Sequence, residues 1–208
     1  MSVKLERAFW RFRPTSTPPL ACSCVPKTEE NMNEELRAEL LRMAKEDRET
    51  RDKLLHSGQL PKNNYSPVMK QVHERNNARM KEIVERFGWT GKNLVGEDGC
   101  EAAWIIVQHA VLEPDFQRRC VPLLESAASA GEAPLWQLAY LKDRVLKMNG
   151  EPQLYGTQYE WDENGKSIPY EIHDEANVDA RRREAGLPTM EENTKRIHQE
   201  DELLNEKL

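Results

Sequence analysis

His109 is the side chain in this sequence best suited to proton transfer. It follows Gln108 directly after the longest apolar run of the chain, Ala102 to Val107. Burial takes water away from an imidazole ring and lowers its pKa, so a ring in this position is expected to be a neutral base. The sequence therefore predicts either a general acid/base or hydrogen-bonding anchor at the floor of a pocket, or a core histidine that bridges helix ends.

Asp143 and Arg144 are adjacent charges in an otherwise apolar segment, Leu138 to Leu146. At least one of them is expected to face a buried or cleft position, where a charge needs a partner. If Asp143 accepts a hydrogen bond from His109, it orients the imidazole as the acid does in a hydrolytic triad. The chain has no Gly-x-Ser-x-Gly motif to supply a serine nucleophile, so a catalytic triad is not expected.

Asp47 and Arg51 are four residues apart, with the acid first. On a helix this order forms a stabilising pair on one face. Such pairs usually lie in solvent and contribute only a few tenths of a kcal/mol.

The segment Gln153 to Gln158 combines two amides, the phenol of Tyr155 and a hydroxyl around Gly156. It is typical of a first hairpin strand with a glycine bulge. It would equally suit a polar wall over a pocket that holds His109, because amides bind neutral polar ligands through hydrogen bonds.

Metal binding is not expected. His109 and Glu113 are four apart and could share an ion, but no second ligand pair has matching spacing, and His73 lies on a different predicted helix. Cys22 and Cys24 form a Cys-x-Cys pair without the second pair that zinc sites have. We expect reduced thiols, no metal and no cofactor.

Composition excludes two classes of partner and indicates where the chain divides into domains. The formal net charge of -6 argues against a nucleic-acid surface, and the longest apolar run is far too short for a membrane span. The four cysteines do not form a disulfide-scaffold pattern, so we expect reduced thiols in a cytoplasmic protein. Residues 1–31 are rich in proline and poor in acids, as in a disordered extension or a mis-assigned start. We divide the rest into a helical domain over 32–173, with a hairpin at its end, and a charged helical tail over 174–208.

Capping residues and apolar spacing predict the helices. One is expected from Asn33 to about His56 and a second from Ser66-Pro67 to Phe87. After a loop over 89–98, a buried helix is expected over 99–111, followed by helices over 115–130 and from Pro134 to Asn149.

Period-two runs over 154–161 and 168–172 flank Asn164-Gly165 and predict a hairpin. Helices over 178–185 and after the capping box at Thr189 complete the chain. The basic run 181–183 is typical of a solvated helix face. The fold class is thus mainly α: a compact helical domain of about five helices with a small β-hairpin and flexible ends.

Several of these strings together resemble a bacterial domain family of unknown function found in actinobacteria and Bacteroidetes. The resemblance covers roughly residues 32–187. It rests on Gln-His-Ala (108–110), Asp-Arg (143–144) and Gln-x-Tyr-Gly-Thr-Gln (153–158), together with Asp47 and Arg51. It implies that polar residues on separate elements belong to one site: Asp47, Arg51, Gln108, His109, Asp143, Arg144, Tyr155 and Gln158.

These observations lead to two functional hypotheses. The first is a small enzyme acting on a polar small molecule or peptide, with His109 as general acid/base, Asp143 orienting it, and Arg51 or Arg144 binding an anionic group. The other six residues of the set are its expected substrate-binding residues. The second is a helical protein-interaction module of the accessory or immunity type, without catalysis, which predicts an exposed apolar patch.

Overall fold

The computed structural model describes residues 32–59 and 65–205, so the predictions for residues 1–31 lie outside the described part of the chain. The described residues confirm a mainly α domain with one antiparallel hairpin. In chain order the elements are α1 (Glu34–His56), α2 (Pro67–Phe87), α3 (Lys92–Gln108), α4 (Pro114–Ser129), α5 (Leu135–Met148), β1 (Tyr159–Trp161), β2 (Ser167–Pro169), a short 3₁₀ turn (Glu175–Asn177), α6 (Val178–Glu184) and α7 (Met190–Asn205).

Capping side chains set the starts of α1 and α2 where the sequence predicts them. The carboxamide oxygen of Asn33 accepts the backbone N–H of Leu36 at 3.0 Å. The hydroxyl of Ser66 accepts the N–H of Met69 at 3.5 Å, with proline at the first helical position. Both bonds satisfy N–H groups that have no partner inside the helix.

The predicted loop over 89–98 is too long, because α3 already begins at Lys92. The carboxylate of Glu132 accepts the N–H of Asn93 at 2.9 Å, and the Glu132 carbonyl accepts the N–H of Lys92. Gly96 is not helical, with φ +73° and ψ 170°, and separates the first turn of α3 from the rest; glycine adopts this conformation without steric cost. At its other end α3 stops at Gln108 rather than at residue 111, which leaves His109 as the C-cap.

α3 is the central helix of the domain and packs against α1, α2, α4 and α5. The indole N–H of Trp104 donates to the Gln137 carbonyl of α5 at 3.0 Å. The side-chain amide of Gln117, on α4, donates to the carbonyls of Val107 and Gln108 at 2.9 and 3.0 Å. The last turn of α3 is therefore fixed by a neighbouring helix. Among the helices of residues 32–59 and 65–205, none has the length and hydrophobicity that crossing a bilayer requires.

The first strand is shorter than predicted, because the backbone N–H groups of residues 154–157 donate to Asp143 instead of to a neighbouring strand. The Asp143 carboxylate accepts the N–H groups of Leu154, Tyr155 and Thr157 and the Thr157 hydroxyl, at 2.8 to 3.2 Å. Residues 153–158 consequently form a loop beside the hairpin. Gly156 turns within this loop at φ +65°.

α6 and α7 dock against this loop and the hairpin. Arg182 is fully buried, and its guanidinium donates to the carbonyls of Tyr155 and Pro188. The prediction of a solvated basic face is therefore wrong for Arg182. On α7, the amide of Asn193 donates to the Tyr159 hydroxyl at 3.0 Å.

Replacing Asp143 by asparagine is expected to destabilise the protein by about 3 kcal/mol, since hydrogen bonds to a charged acceptor contribute about 1.5–3 kcal/mol each. Asparagine retains one acceptor oxygen but turns an amide donor toward backbone N–H groups. Urea denaturation measures the change.

Glu125→Gln is the matched control, because Glu125 is an exposed carboxylate with a 3.4 Å ion pair to Lys142. It should change the free energy of unfolding by less than about 1 kcal/mol. Equal effects of the two substitutions would contradict the role given to Asp143.

Candidate functional site

A buried carboxylate, Asp47, stands between two histidines from different helices. Its Oδ2 atom lies 2.7 Å from Nδ1 of His109 and 3.3 Å from Nε2 of His73. The side chains of Asp47 and His73 are each 1% exposed. The two imidazole rings lie 5.5 Å apart between centroids. α1, α2 and the end of α3 therefore meet at one polar cluster.

Asp47 lies on the buried stripe of α1. Leu36, Leu40, Met43 and Asp47 follow one another at spacings of four, three and four, which places them on one helix face. The expectation that Asp47 and Arg51 form a solvated pair is therefore wrong. The Arg51 side chain is 14% exposed, and its guanidinium lies 3.3 Å from the carboxylate of Asp52.

His73 belongs to the site but was not predicted to. It lies on the inner stripe of α2 with Met69, Asn76 and Met80, again at spacings of three and four. Its place among the inward-facing residues of a helix was therefore the sequence feature that could have assigned His73 to the site. The Tyr65 hydroxyl contacts Nδ1 of His73, and the two rings meet edge to face.

His109 is the most exposed of the three, with 15% of its side chain accessible. Its position follows from the end of α3, which is held by Gln117 and by Arg144. The guanidinium of Arg144, on α5, donates to the Gln108 carbonyl. The side-chain oxygen of Gln108 is buried and has no hydrogen-bond partner among the described residues.

The charges of the cluster are set by burial and by the contacts of Asp47. Burial opposes ionisation of Asp47, but the charges and hydrogen bonds of His109 and His73 outweigh it and hold the pKa of the carboxyl well below its usual range. Burial lowers the pKa of His109; the Asp47 carboxylate opposes this shift, and the charges of His73 and Arg144 add to it. At neutral pH the cluster therefore contains a carboxylate beside a neutral His109.

These charge states fix the tautomer of His109. An ionised carboxylate can only accept hydrogen bonds, so Nδ1 of the neutral ring must carry the proton that it donates to Asp47. The other ring nitrogen, Nε2, then carries the lone pair. This is the arrangement in which a carboxylate orients a histidine that acts as a base.

Asp143, Tyr155 and Gln158 are connected to one another through the hydrogen bonds of the segment 153–158. The carboxylate of Asp143 accepts hydrogen bonds from the loop over 154–157, whereas Nδ1 of His109 contacts Asp47. The side-chain amide of Gln153 donates to the carbonyls of Gln158 and Tyr170 at 2.9 and 2.8 Å. The polar atoms of this segment therefore hold the loop and hairpin together.

The nitrogen and oxygen atoms of Asp47, His73 and His109 that could ligate an ion lie within 4.8 Å of one another. In residues 32–59 and 65–205 this is the one group of three such side chains. The predicted neighbour Glu113 is not part of it. Glu113 lies at the start of α4 and pairs with Lys81.

Residues 34–204 match the model of a family of unknown function, DUF6624. The chain belongs to this family. No curated protein and no solved structure gives a significant match. The DUF6624 match confirms the resemblance to a domain of unknown function and extends it beyond residue 187 through most of α7. Asp47, His73 and His109 all lie within the matched range.

The lowered pKa values predict that acid destabilises the DUF6624 domain. A group whose pKa is lower in the folded than in the unfolded protein stabilises the fold at pH values above its unfolded-state pKa. This contribution is lost as the pH falls toward its folded-state pKa. For His109 the loss should begin below pH 6.5, the ordinary histidine value, and for Asp47 below pH 3.8. Urea denaturation at pH 7.5 and 5.0, with EDTA present, measures the loss of unfolding free energy that is assigned to His109.

The step between pH 7.5 and 5.0 should shrink in His109→Gln, because glutamine does not titrate in this range. His56→Gln, at the exposed end of α1, should keep the full step. An unchanged step in His109→Gln would show that other groups cause the acid loss.

Proposed function

We propose that this protein is a cytoplasmic enzyme that uses His109 as a general acid/base on a polar small molecule or peptide, with Asp47 as the orienting carboxylate. The observation that carries the proposal is the 2.7 Å contact between buried Asp47 and the partly exposed ring of His109. A buried acid that fixes a ring near the surface is the geometry that proton transfer requires. Neither a nucleic acid nor a membrane is proposed as a partner.

Asp47 favours both halves of a proton-transfer cycle. In the resting site it holds His109 in the tautomer whose Nε2 accepts a proton. When Nε2 has accepted one, the ring becomes an imidazolium next to a carboxylate, and the negative charge stabilises it. The same ring can then return the proton to a leaving group. A positioned acid/base of this kind typically contributes about 100- to 10,000-fold in rate.

Two arginines favour a substrate with an anionic group. Arg144 is close enough to His109 for its charge to lower the pKa of the ring. Arg51 follows Asp47 by one helical turn and is mostly buried. Guanidinium groups bind carboxylates and phosphates through paired hydrogen bonds. We assign Arg51, Arg144 and Gln108 to substrate binding. Asp143, Tyr155 and Gln158 are assigned to positioning of the adjacent loop.

The alternative function, a helical interaction module, needs an exposed apolar face. The large exposed hydrophobic residues of the described chain are Val68, Leu135, Met148 and Ile168, on α2, α5 and β2. Leu135 and Met148 are at opposite ends of α5, about 20 Å apart at 1.5 Å per residue. The geometry of the histidine cluster is the more specific observation, and it favours the enzyme.

A thermal-shift screen with anionic and neutral polar metabolites tests the proposal. A compound at 100 times its dissociation constant should raise the melting temperature by about 5–10 °C. The shift should be lost in Arg51→Ala and retained in Arg48→Ala, which removes an exposed arginine of the same helix. Each stabilising compound is then followed for conversion by NMR, with wild type and His109→Gln compared.

His109→Gln should lower the turnover of a converted compound by at least about 100-fold. His56→Gln should leave it unchanged. Conversion at equal rates by wild type and His109→Gln would refute the role of His109. A screen in which no stabilising compound depends on Arg51 or Arg144 would refute the proposed anion site.

A further inference from the structure

We infer that Asp47, His73 and His109 form a binding site for one divalent first-row transition-metal ion, of which Zn²⁺ is the representative. The inference does not rest on the proposed catalytic function, since binding of an ion needs only the three side chains. It uses His73, which the proposed proton transfer does not require.

The distances suit such an ion after a small adjustment. Zinc binds histidine nitrogen and carboxylate oxygen at about 2.0–2.2 Å, so tetrahedral ligand atoms are about 3.3 Å apart. Oδ2 of Asp47 is 3.3 Å from Nε2 of His73, which already matches. It is 2.7 Å from Nδ1 of His109, so this ring has to move outward by about half an ångström. His109 is the most exposed of the three ligands and lies at the end of its helix.

The donor set selects the class of metal. Two imidazoles and one carboxylate form the ligand set of hydrolytic zinc sites and of non-haem iron sites, and both keep at least one position open for water or substrate. Calcium and magnesium prefer oxygen ligands and would not choose two imidazoles.

Two features of the cluster support this assignment. The second carboxylate oxygen of Asp47, Oδ1, is buried and has no hydrogen-bond partner in the described part of the chain. An unsatisfied buried carboxylate oxygen calls for an explanation, and a cation bound by both oxygens of the carboxylate would supply one. The Tyr65 hydroxyl contacts Nδ1 of His73, which leaves Nε2 directed at Asp47. Histidine ligands of metals typically have such a partner on the other ring nitrogen.

An ion on Nδ1 of His109 would change what that ring can do. In the metal-free site the proton is on Nδ1 and the lone pair is on Nε2. Metal binding to Nδ1 requires that proton to leave and a solvent proton to be taken up at Nε2, with no net change in protons. The loaded ring can then donate at Nε2 but cannot accept. Zinc should therefore suppress the proton transfer proposed for His109.

Titration of the full-length protein with Zn²⁺ after dialysis against EDTA tests the inference. Isothermal titration calorimetry at pH 7.5 should show one ion per chain, and Co²⁺ should give visible absorption bands typical of a tetrahedral nitrogen and oxygen site. His73→Gln should weaken Zn²⁺ binding by at least about 100-fold, since even outer partners of ligands contribute 10- to 100-fold. Asp47→Asn, which preserves shape, is the second variant should His73→Gln not fold.

Two controls identify the ligands. His56→Gln removes an exposed histidine and should leave the affinity unchanged. The double variant Cys22→Ser/Cys24→Ser should also bind normally. Absence of saturable binding at micromolar zinc, unchanged affinity in folded His73→Gln or Asp47→Asn, or loss of binding in the cysteine variant would each overturn the inference. Because these measurements use no substrate, they stand even where the proposed catalytic role of His109 fails.

Discussion

The burial of one charge, the Asp47 carboxylate, is the constraint on which the site depends. A carboxylate removed from water must be compensated, and here the compensation comes from His73 on α2 and His109 at the end of α3. The carboxylate thereby joins three helices that also pack through apolar side chains. The end of α3 is fixed in turn by side chains of α4 and α5. The orientation of His109 thus follows from the packing of five helices.

Candidate site residues could be named from the sequence, but the contacts between them could not be predicted. The apolar run before His109 indicates a desolvated ring, and the family resemblance groups Asp47, Arg51 and Arg144 with it. Which acid meets His109 depends on how α1 packs against α3, over a separation of 62 residues. Local spacing carries no information about that packing. At least one of Asp143 and Arg144 was expected to be buried, and both are, but Asp143 is satisfied by backbone groups only 11 to 14 residues away.

The helices could be predicted closely where capping residues end them. Asn33, Ser66 and Gly88 mark the ends of α1 and α2 because each meets a specific need of the helix terminus. The start of α3 could not be predicted, because its first N–H groups are satisfied by Glu132, about 40 residues along the chain. The burial of Arg182 was missed for a similar reason, because two of its acceptors, the carbonyls of Tyr155 and Gly156, lie 27 and 26 residues earlier in the chain.

The protonation state of His109 is the most direct test of this account. ¹⁵N NMR of the metal-free protein at pH 7.5 distinguishes the two neutral tautomers of histidine from the imidazolium. We predict a neutral ring with the proton on Nδ1 in the wild type, and loss of that tautomer preference in Asp47→Asn. A proton on Nε2, or an imidazolium at this pH, would contradict the claim that Asp47 holds His109 as a base.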